Sequence, residues 1–200
     1  MRIEKISISS DSNFDGPFVI VPDVFSDFRG FFYESWNQEK FESLLQLSSK
    51  KNIRKKISFV QDNHSSSSKG VLRGLHFQTD PAAQSKLIRC IKGKIFDVFV
   101  DIRKSSATFK KWGSCIISAE NKKQIWIPEG FAHGFLSLEE NTEINYKTTN
   151  YWNKRHEKSI AWNDPDLGIQ WPSLNTKFKL SEKDAEAPLL KHISREKLFK

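Results

Sequence analysis

The stretch from Gln61 to Gln78 reads QDNHSSSSKGVLRGLHFQ. It begins polar, passes through a serine-rich loop and ends in a short apolar strand, Gly70–Phe77. Within it stand Gln61, Asp62, Asn63, His64, Lys69, Arg73, His76 and Gln78, more hydrogen-bonding groups than a purely structural strand carries. Buried charge is costly unless it is paired or bound to something. A strand that turns a histidine and an arginine inward therefore reads as the wall of a polar pocket. Strict alternation puts Arg73 and His76 on opposite faces. Gly74, between them, can host a bulge that brings them together.

Working outward, short strands alternate with turns. Pro17–Phe25 reads as a strand with an edge-tolerated proline, Asp27–Gly30 as a turn and Phe31–Trp36 as a second strand. Asn37 reads as the N-cap of one short helix whose apolar stripe is Phe41, Leu44 and Leu45. Ser48–Lys56 is a basic, polar loop. Strands follow at Ile57–Asn63, Gly70–Phe77, Lys86–Ile91, Lys94–Ile102, Trp112–Ser118, Gln124–Ile127, Phe131–Leu138 and Thr142–Thr148. Lys94–Ile102 alternates Phe96, Val98, Val100 and Ile102 with Ile95, Asp97, Phe99 and Asp101. Turn signals at this spacing predict an all-β sandwich or barrel. An antiparallel jelly-roll barrel has room for a ligand inside, and a sandwich with one wet face is the alternative. Lys177–Lys200 is helical or irregular.

The 200 residues suit one domain, with its core over about 17–190, and 16 Phe and 6 Trp supply large apolar area. No run approaches the roughly 18 apolar residues of a membrane span, and the first residues contain no apolar stretch of a secretory signal. Cys90 and Cys115 lie in apolar strands and read as reduced core thiols of a cytoplasmic protein. The net charge of +8 favours anionic partners. Those partners are nucleic acid, an anionic membrane or phosphorylated small molecules, but much of the charge is diffuse and reads as solvated surface; no helix-turn-helix, zinc-finger or RNA-binding motif accompanies it, which argues against nucleic acid.

QDNHSSSSKGVLRGLHFQ also resembles the signature of the dTDP-4-dehydrorhamnose 3,5-epimerase family, nucleotide-sugar epimerases of cupin fold. The rest follows in family order: DFRGFFYESW at Asp27–Trp36, QSKLIRCIKGKIFDVFVDIR at Gln84–Arg103 and WIPEGFAHGFLSL at Trp126–Leu138. YKTTNYW at Tyr146–Trp152, WNDPDLGIQWP at Trp162–Pro172 and LSEKDAEAPLL at Leu180–Leu190 complete the set. The resemblance implies a cupin-type antiparallel jelly-roll barrel with a few short peripheral helices. It also implies a cofactor-free enzyme that inverts C3 and C5 of dTDP-4-dehydro-6-deoxy-D-glucose. Ser85, Phe28 and Asn150 depart from residues usual in the family, which leaves the exact nucleotide sugar and one-centre against two-centre epimerisation open; a non-catalytic cupin that binds a sugar nucleotide is a further alternative.

Many cupins bind a metal through HxH…E and PxGxxH. Pro128, Gly130 and His133 keep the second motif, but Gln78 stands where the first would place its second histidine. Two histidines without a carboxylate make a poor Zn or Fe(II) site, so no metal is expected. His133 reads either as a pocket hydrogen-bonder or as a satisfied core histidine.

Epimerisation next to a ketone needs a base, a stabiliser of the enolate oxygen and an acid on the opposite face. His76 is the candidate base, since a free imidazole of pKa about 6.5 accepts protons at neutral pH. The resemblance pairs it with Asp184, whose other reading is helix capping, because Ser181 precedes it by three residues. Tyr146 is the candidate acid, and Lys86 and Arg73 are the cations for the enolate or the diphosphate. By family position, Arg29, Glu34, Gln61, Asn63, His133, Tyr151, Glu157 and Lys183 bind the nucleotide sugar. The resemblance further implies a homodimer in which the segment of Arg29 and Glu34 reaches the neighbouring subunit's site.

Overall fold

The computed structural model describes residues 1–6, 15–48 and 57–200. The basic loop at 48–56 lies almost wholly outside them. Two antiparallel sheets form the body. The first runs β1 (Arg2–Glu4), β2 (Phe18–Val21), β10 (Gln124–Ile127), β7 (Lys86–Lys92), β12 (Thr142–Thr148) and β5 (Gln61–Ser67) in spatial order. The second runs β13 (Glu157–Ser159), β6 (Leu72–Gln78), β11 (Phe131–Ser137), β8 (Lys94–Asp101) and β9 (Trp112–Ser118). A separate hairpin joins β3 (Phe25–Asp27) to β4 (Gly30–Phe32). The architecture is the mostly-β, antiparallel jelly roll that the strand pattern predicts.

The core lies where the two sheets face each other. Val19, Ile88, Ile125 and Ile144 from the first sheet pack with Ile95, Phe99, Ile117 and Phe135 from the second. Fully burying one such side chain contributes about 1.5–3 kcal/mol. The alternation along β8 is resolved by burial on both faces. Ile95 and Phe99 join the inter-sheet core, whereas Val98 and Val100 pack outward beneath Leu167, Leu190 and Leu198 of the C-terminal arm. Asp101 is wholly buried yet satisfied by Arg103 at 2.7 Å and by Ser106 and Thr108. The polar face of β8 thus belongs to the interior.

The predicted helix is α1 (Gln38–Ser48). The Asn37 side chain accepts from the Lys40 N–H at 3.1 Å, and Phe41, Leu44 and Leu45 are buried against Phe18, Ile20, Leu87 and Trp126 on the outer face of the first sheet. Other boundaries differ from the sequence reading. The serines do not form a loop: Ser65–Ser67 continue β5 and pair with Ile144, Glu143 and Thr142. Pairing with β12 satisfies their backbone and overrides a weak strand propensity. The turn is confined to the residues around Gly70, where the Val71 N–H donates to Ser68 O at 3.2 Å. The strand at Pro17–Phe25 breaks after Val21, and the second strand shrinks to Gly30–Phe32, because β4 has only the three residues of β3 to pair with.

Around Gly74 the second sheet departs from regular register. His133 pairs with His76 and Phe135 with Arg73, so β6 carries one more residue than β11 over this span. Gly74 is the reason. It adopts φ +122°, and a Cβ there would lie 2.6 Å from Gly134 Cα and 2.7 Å from His133 O. The extra residue puts Arg73 and His76 on the same wall, as a bulge does.

Candidate active site

A cavity of about 550 Å³ opens between the sheets above Phe135 and Ile144 of the core. Arg73 and His76 from β6, Lys86 from β7, His133 from β11 and Tyr146 from β12 line it. Lys183 and Asp184 close one side from α2 (Glu182–Ala185). That helix is pinned beside β6: the Lys179 N–H donates to Gly70 O at 2.8 Å, and the Leu72 N–H to Lys179 O at 3.0 Å.

Asp184 is buried, and its Oδ1 accepts a hydrogen bond from His76 Nε2 at 2.5 Å. The Ser181 hydroxyl meanwhile accepts from the Asp184 N–H at 3.2 Å. Ser181 thus caps the helix, and the Asp184 carboxylate faces His76. Burial opposes the carboxylate's charge, but the hydrogen bond and charge of His76, with hydrogen bonds from Ser181 and the Gly74 backbone, outweigh it and hold its pKa below the usual value. With Nε2–H committed to Asp184, the lone pair of His76 is on Nδ1.

Lys86 is deeply enclosed. Burial pushes its pKa down to about 8, against the raising influence of Glu157 and Asp97. Burial also raises the pKa of the Tyr146 phenol, with Arg73 opposing, so the phenol keeps its proton and can donate it. Arg73 is held by Ser67 Oγ at 3.1 Å and Ser66 O at 3.0 Å.

A second cavity of about 290 Å³ shares His76, Lys86 and Tyr146 with the first and is lined also by Gln61, Asn63, Trp152 and Glu157. Gln61 Nε2 donates to Asn63 Oδ1 at 2.8 Å, and Gln61 Oε1 accepts from the Trp152 N–H at 2.9 Å. Lys183 pairs with Glu157 at 2.6 Å, and this pair, working against burial, lowers the Glu157 pKa. The two cavities form one polar cleft, with cations and acid–base groups inside and amide and indole groups at one end.

Three sequence candidates stand elsewhere. Arg29 is exposed at the tip of the β3–β4 hairpin and pairs with Asp27 at 2.5 Å. Glu34 pairs with Lys40 and accepts from Asn37 Nδ2 at 3.1 Å. Tyr151 is 65 % exposed, and its neighbour Trp152 takes the place on the wall. Two residues escaped the sequence reading. Trp152 stands beside Tyr151 in the YKTTNYW stretch, and nothing in the pattern favours one ring over the other. Asp97 is wholly buried, with Oδ2 accepting from His133 Nε2 at 2.9 Å. Its position on the polar face of an alternating strand was the available signal. Among the described residues no group of three or more His, Cys, Asp or Glu side chains is placed to hold a metal ion. Cys90 and Cys115 are free thiols. No described helix is long and apolar enough to cross a membrane.

Residues 11–192 match the family model for dTDP-4-dehydrorhamnose 3,5-epimerase. The chain is 56% identical over 172 residues to the dTDP-4-dehydrorhamnose 3,5-epimerase of Salmonella typhimurium, covering 86% of this chain and 89% of that one. The crystal structure of a dTDP-6-deoxy-D-glucose-3,5-epimerase from Legionella pneumophila, in complex with dTDP-4-keto-L-rhamnose, superposes with a TM-score of 0.87 at 44% identity, covering 100% of this chain and 98% of that one. A 3'-monoepimerase from Streptomyces bikiniensis in complex with dTDP-quinovose is similar at a TM-score of 0.83 and 30% identity, covering 100% and 92% of the two chains.

Proposed function

The chain belongs to the dTDP-4-dehydrorhamnose 3,5-epimerase family, and from that premise we propose how its cleft inverts C3 and C5 of dTDP-4-dehydro-6-deoxy-D-glucose. The protein is an epimerase, and its product is dTDP-4-dehydro-L-rhamnose. Both carbons flank the C4 ketone, so one base and one acid on opposite faces of the ring serve both. His76 Nδ1 takes the carbon-bound proton. The electron pair of the broken C–H bond moves into the C–C bond toward C4, and the carbonyl oxygen becomes an enolate. Asp184 stabilises the imidazolium that forms. Lys86, with Arg73, supplies positive charge where the enolate oxygen develops. Tyr146 returns a proton to the opposite face of the carbon, and the ketone re-forms; His76 then gives its proton to solvent and the Tyr146 phenolate takes one back, which resets the pair for the second carbon. No cofactor enters these steps.

The observation that carries this reading is the 2.5 Å His76–Asp184 bond inside a cleft that Tyr146 and Lys86 also line. Gln61, Asn63, Trp152 and Glu157 suit the nucleotide end, because amides match the donor–acceptor edge of a pyrimidine and an indole stacks on it. Lys183 and Arg73 suit the diphosphate, and His133 the sugar. The whole chain forms one cytoplasmic domain acting as a homodimer. On the β3–β4 hairpin Phe25, Phe28, Phe31 and Phe32 are exposed, which supports cover by a second copy. In that dimer Arg29, Glu34 and the hairpin reach the neighbour's cleft. His76→Ala is expected to lose epimerisation by at least about a hundredfold while its thermal unfolding stays that of a folded protein. A fully active variant rules His76 out as the base.

A further inference from the structure

We propose that Gln78 is a positioning residue for nucleotide binding: its amide clamps the backbone on both sides of Trp152 and so holds the indole on the wall of the cleft. This rests on the reading of Trp152 as part of the nucleotide end. Gln78 ends β6, two residues after His76, so the two side chains share a face. It is also the residue that stands where the metal motif of many cupins has its second histidine. Here it is 4% exposed and lines the same second cavity as Trp152. Its Nε2 donates to Ala82 O at 2.6 Å and to Tyr151 O at 3.1 Å, and its Oε1 accepts from the Asn153 N–H at 2.6 Å. A side-chain amide has two N–H donors, and both of these go to backbone carbonyls. That leaves no donor for a ligand, so Gln78 acts through what it holds.

The segment it holds lies outside the sheets. Residues 149–156 fall between β12 and β13 and belong to neither strand. Tyr151 and Trp152 are exposed, and an exposed segment without ladder pairing opens easily. Amide side chains tie this one down. Gln84 Nε2 donates to Asn150 O at 2.7 Å, and Gln61 Oε1 accepts from the Trp152 N–H at 2.9 Å. Gln78 adds the bonds immediately before and after Trp152, and through Ala82 it joins them to the turn that follows β6. With the backbone fixed at Tyr151, Trp152 and Asn153, the ring meets a base already ordered. Removing the clamp leaves the indole in place in the chain but free to move, and the ligand must then supply the ordering. The effect falls on binding, because none of the Gln78 bonds reaches His76, Asp184 or Tyr146.

The test is dTDP affinity by isothermal titration calorimetry, with kcat and KM for dTDP-4-dehydro-6-deoxy-D-glucose, in Gln78→Met, Trp152→Ala and the double variant. Gln78→Met keeps the length and bulk of the side chain and removes all three bonds. It should weaken dTDP binding and raise KM by about tenfold, with kcat within about twofold of wild type. Because Gln78 acts through Trp152, adding Gln78→Met to Trp152→Ala should weaken binding by less than about a further twofold. Wild-type dTDP affinity in Gln78→Met, a loss confined to kcat, or an undiminished loss on top of Trp152→Ala overturns the proposal. If Gln78→Met does not fold, Gln78→Glu, which keeps the acceptor for the Asn153 N–H and lacks both donors, is measured with the same outcomes. Failure of the underlying reading looks different: Trp152→Ala alone would bind dTDP as the wild type does, and the clamp would have nothing to position.

Discussion

Replacing Asp184 by asparagine preserves the size of the side chain and removes its charge. Its Oδ1 lies 2.5 Å from His76 Nε2, and the side chain is only 4% exposed, so water does not replace the lost interaction. A hydrogen bond to a charged group contributes about 1.5–3 kcal/mol. The bond strengthens as His76 becomes imidazolium, so its loss falls on the transition state and not on substrate binding. At about 1.4 kcal/mol per factor of ten, Asp184→Asn should lower kcat/KM by about ten- to a hundredfold, carried by kcat with KM little changed. Steady-state kinetics measure this directly. The Ser181 hydroxyl still accepts from the N–H of residue 184 in this variant, so the helix cap is retained and the variant should fold. Stability supplies an independent reading. The folded-state pKa of Asp184 is lowered, so its stabilisation is complete above its unfolded value of about 3.9 and is lost as pH falls through the folded one. Acid unfolding of the wild type should therefore carry a contribution that Asp184→Asn lacks. A folded variant with kcat/KM within about twofold of wild type, or acid unfolding that Asp184→Asn leaves unaltered, would refute the dyad.

Tyr146→Phe removes the proton donor and leaves the base. Product formation should fall by about 10²–10⁴, while solvent deuterium still enters the substrate through His76; near wild-type product formation would exclude Tyr146 as the acid. Gly74→Ala places a Cβ 2.6 Å from Gly134 Cα at a φ of +122°. It should cost about 1–3 kcal/mol in urea unfolding and lower activity as Arg73 and His76 lose their common wall, and an unchanged urea midpoint would show the bulge to be tolerant of a side chain.

Legibility in the sequence followed the range of the interactions. The period-2 alternation of β8 and the Asn37 cap of α1 are local, and both were readable. The serines of β5 were misread as a loop because their strand state depends on β12, far along the chain. Arg73 and His76 could not be placed on one face from alternation alone; Gly74 offered the possibility, and the close approach of Gly134 made it a bulge. The pairing of His76 with Asp184 spans 108 residues, and only the resemblance of SEKDAEAP to the family suggested it. Asp97 showed its polar-face position but not its partner, since His133 comes from a neighbouring strand. Arg29 and Glu34 do not line their own chain's cleft, which their sequence positions could not show.

Proton NMR of dTDP-4-dehydro-6-deoxy-D-glucose with the protein in deuterated water tests the central claim most directly. Deuterium should enter at both C3 and C5, with the inverted product accumulating, as one base and one acid in a single cleft require. Deuterium at one carbon only would contradict the two-centre mechanism, and no exchange by the folded protein would contradict the enzymatic account itself.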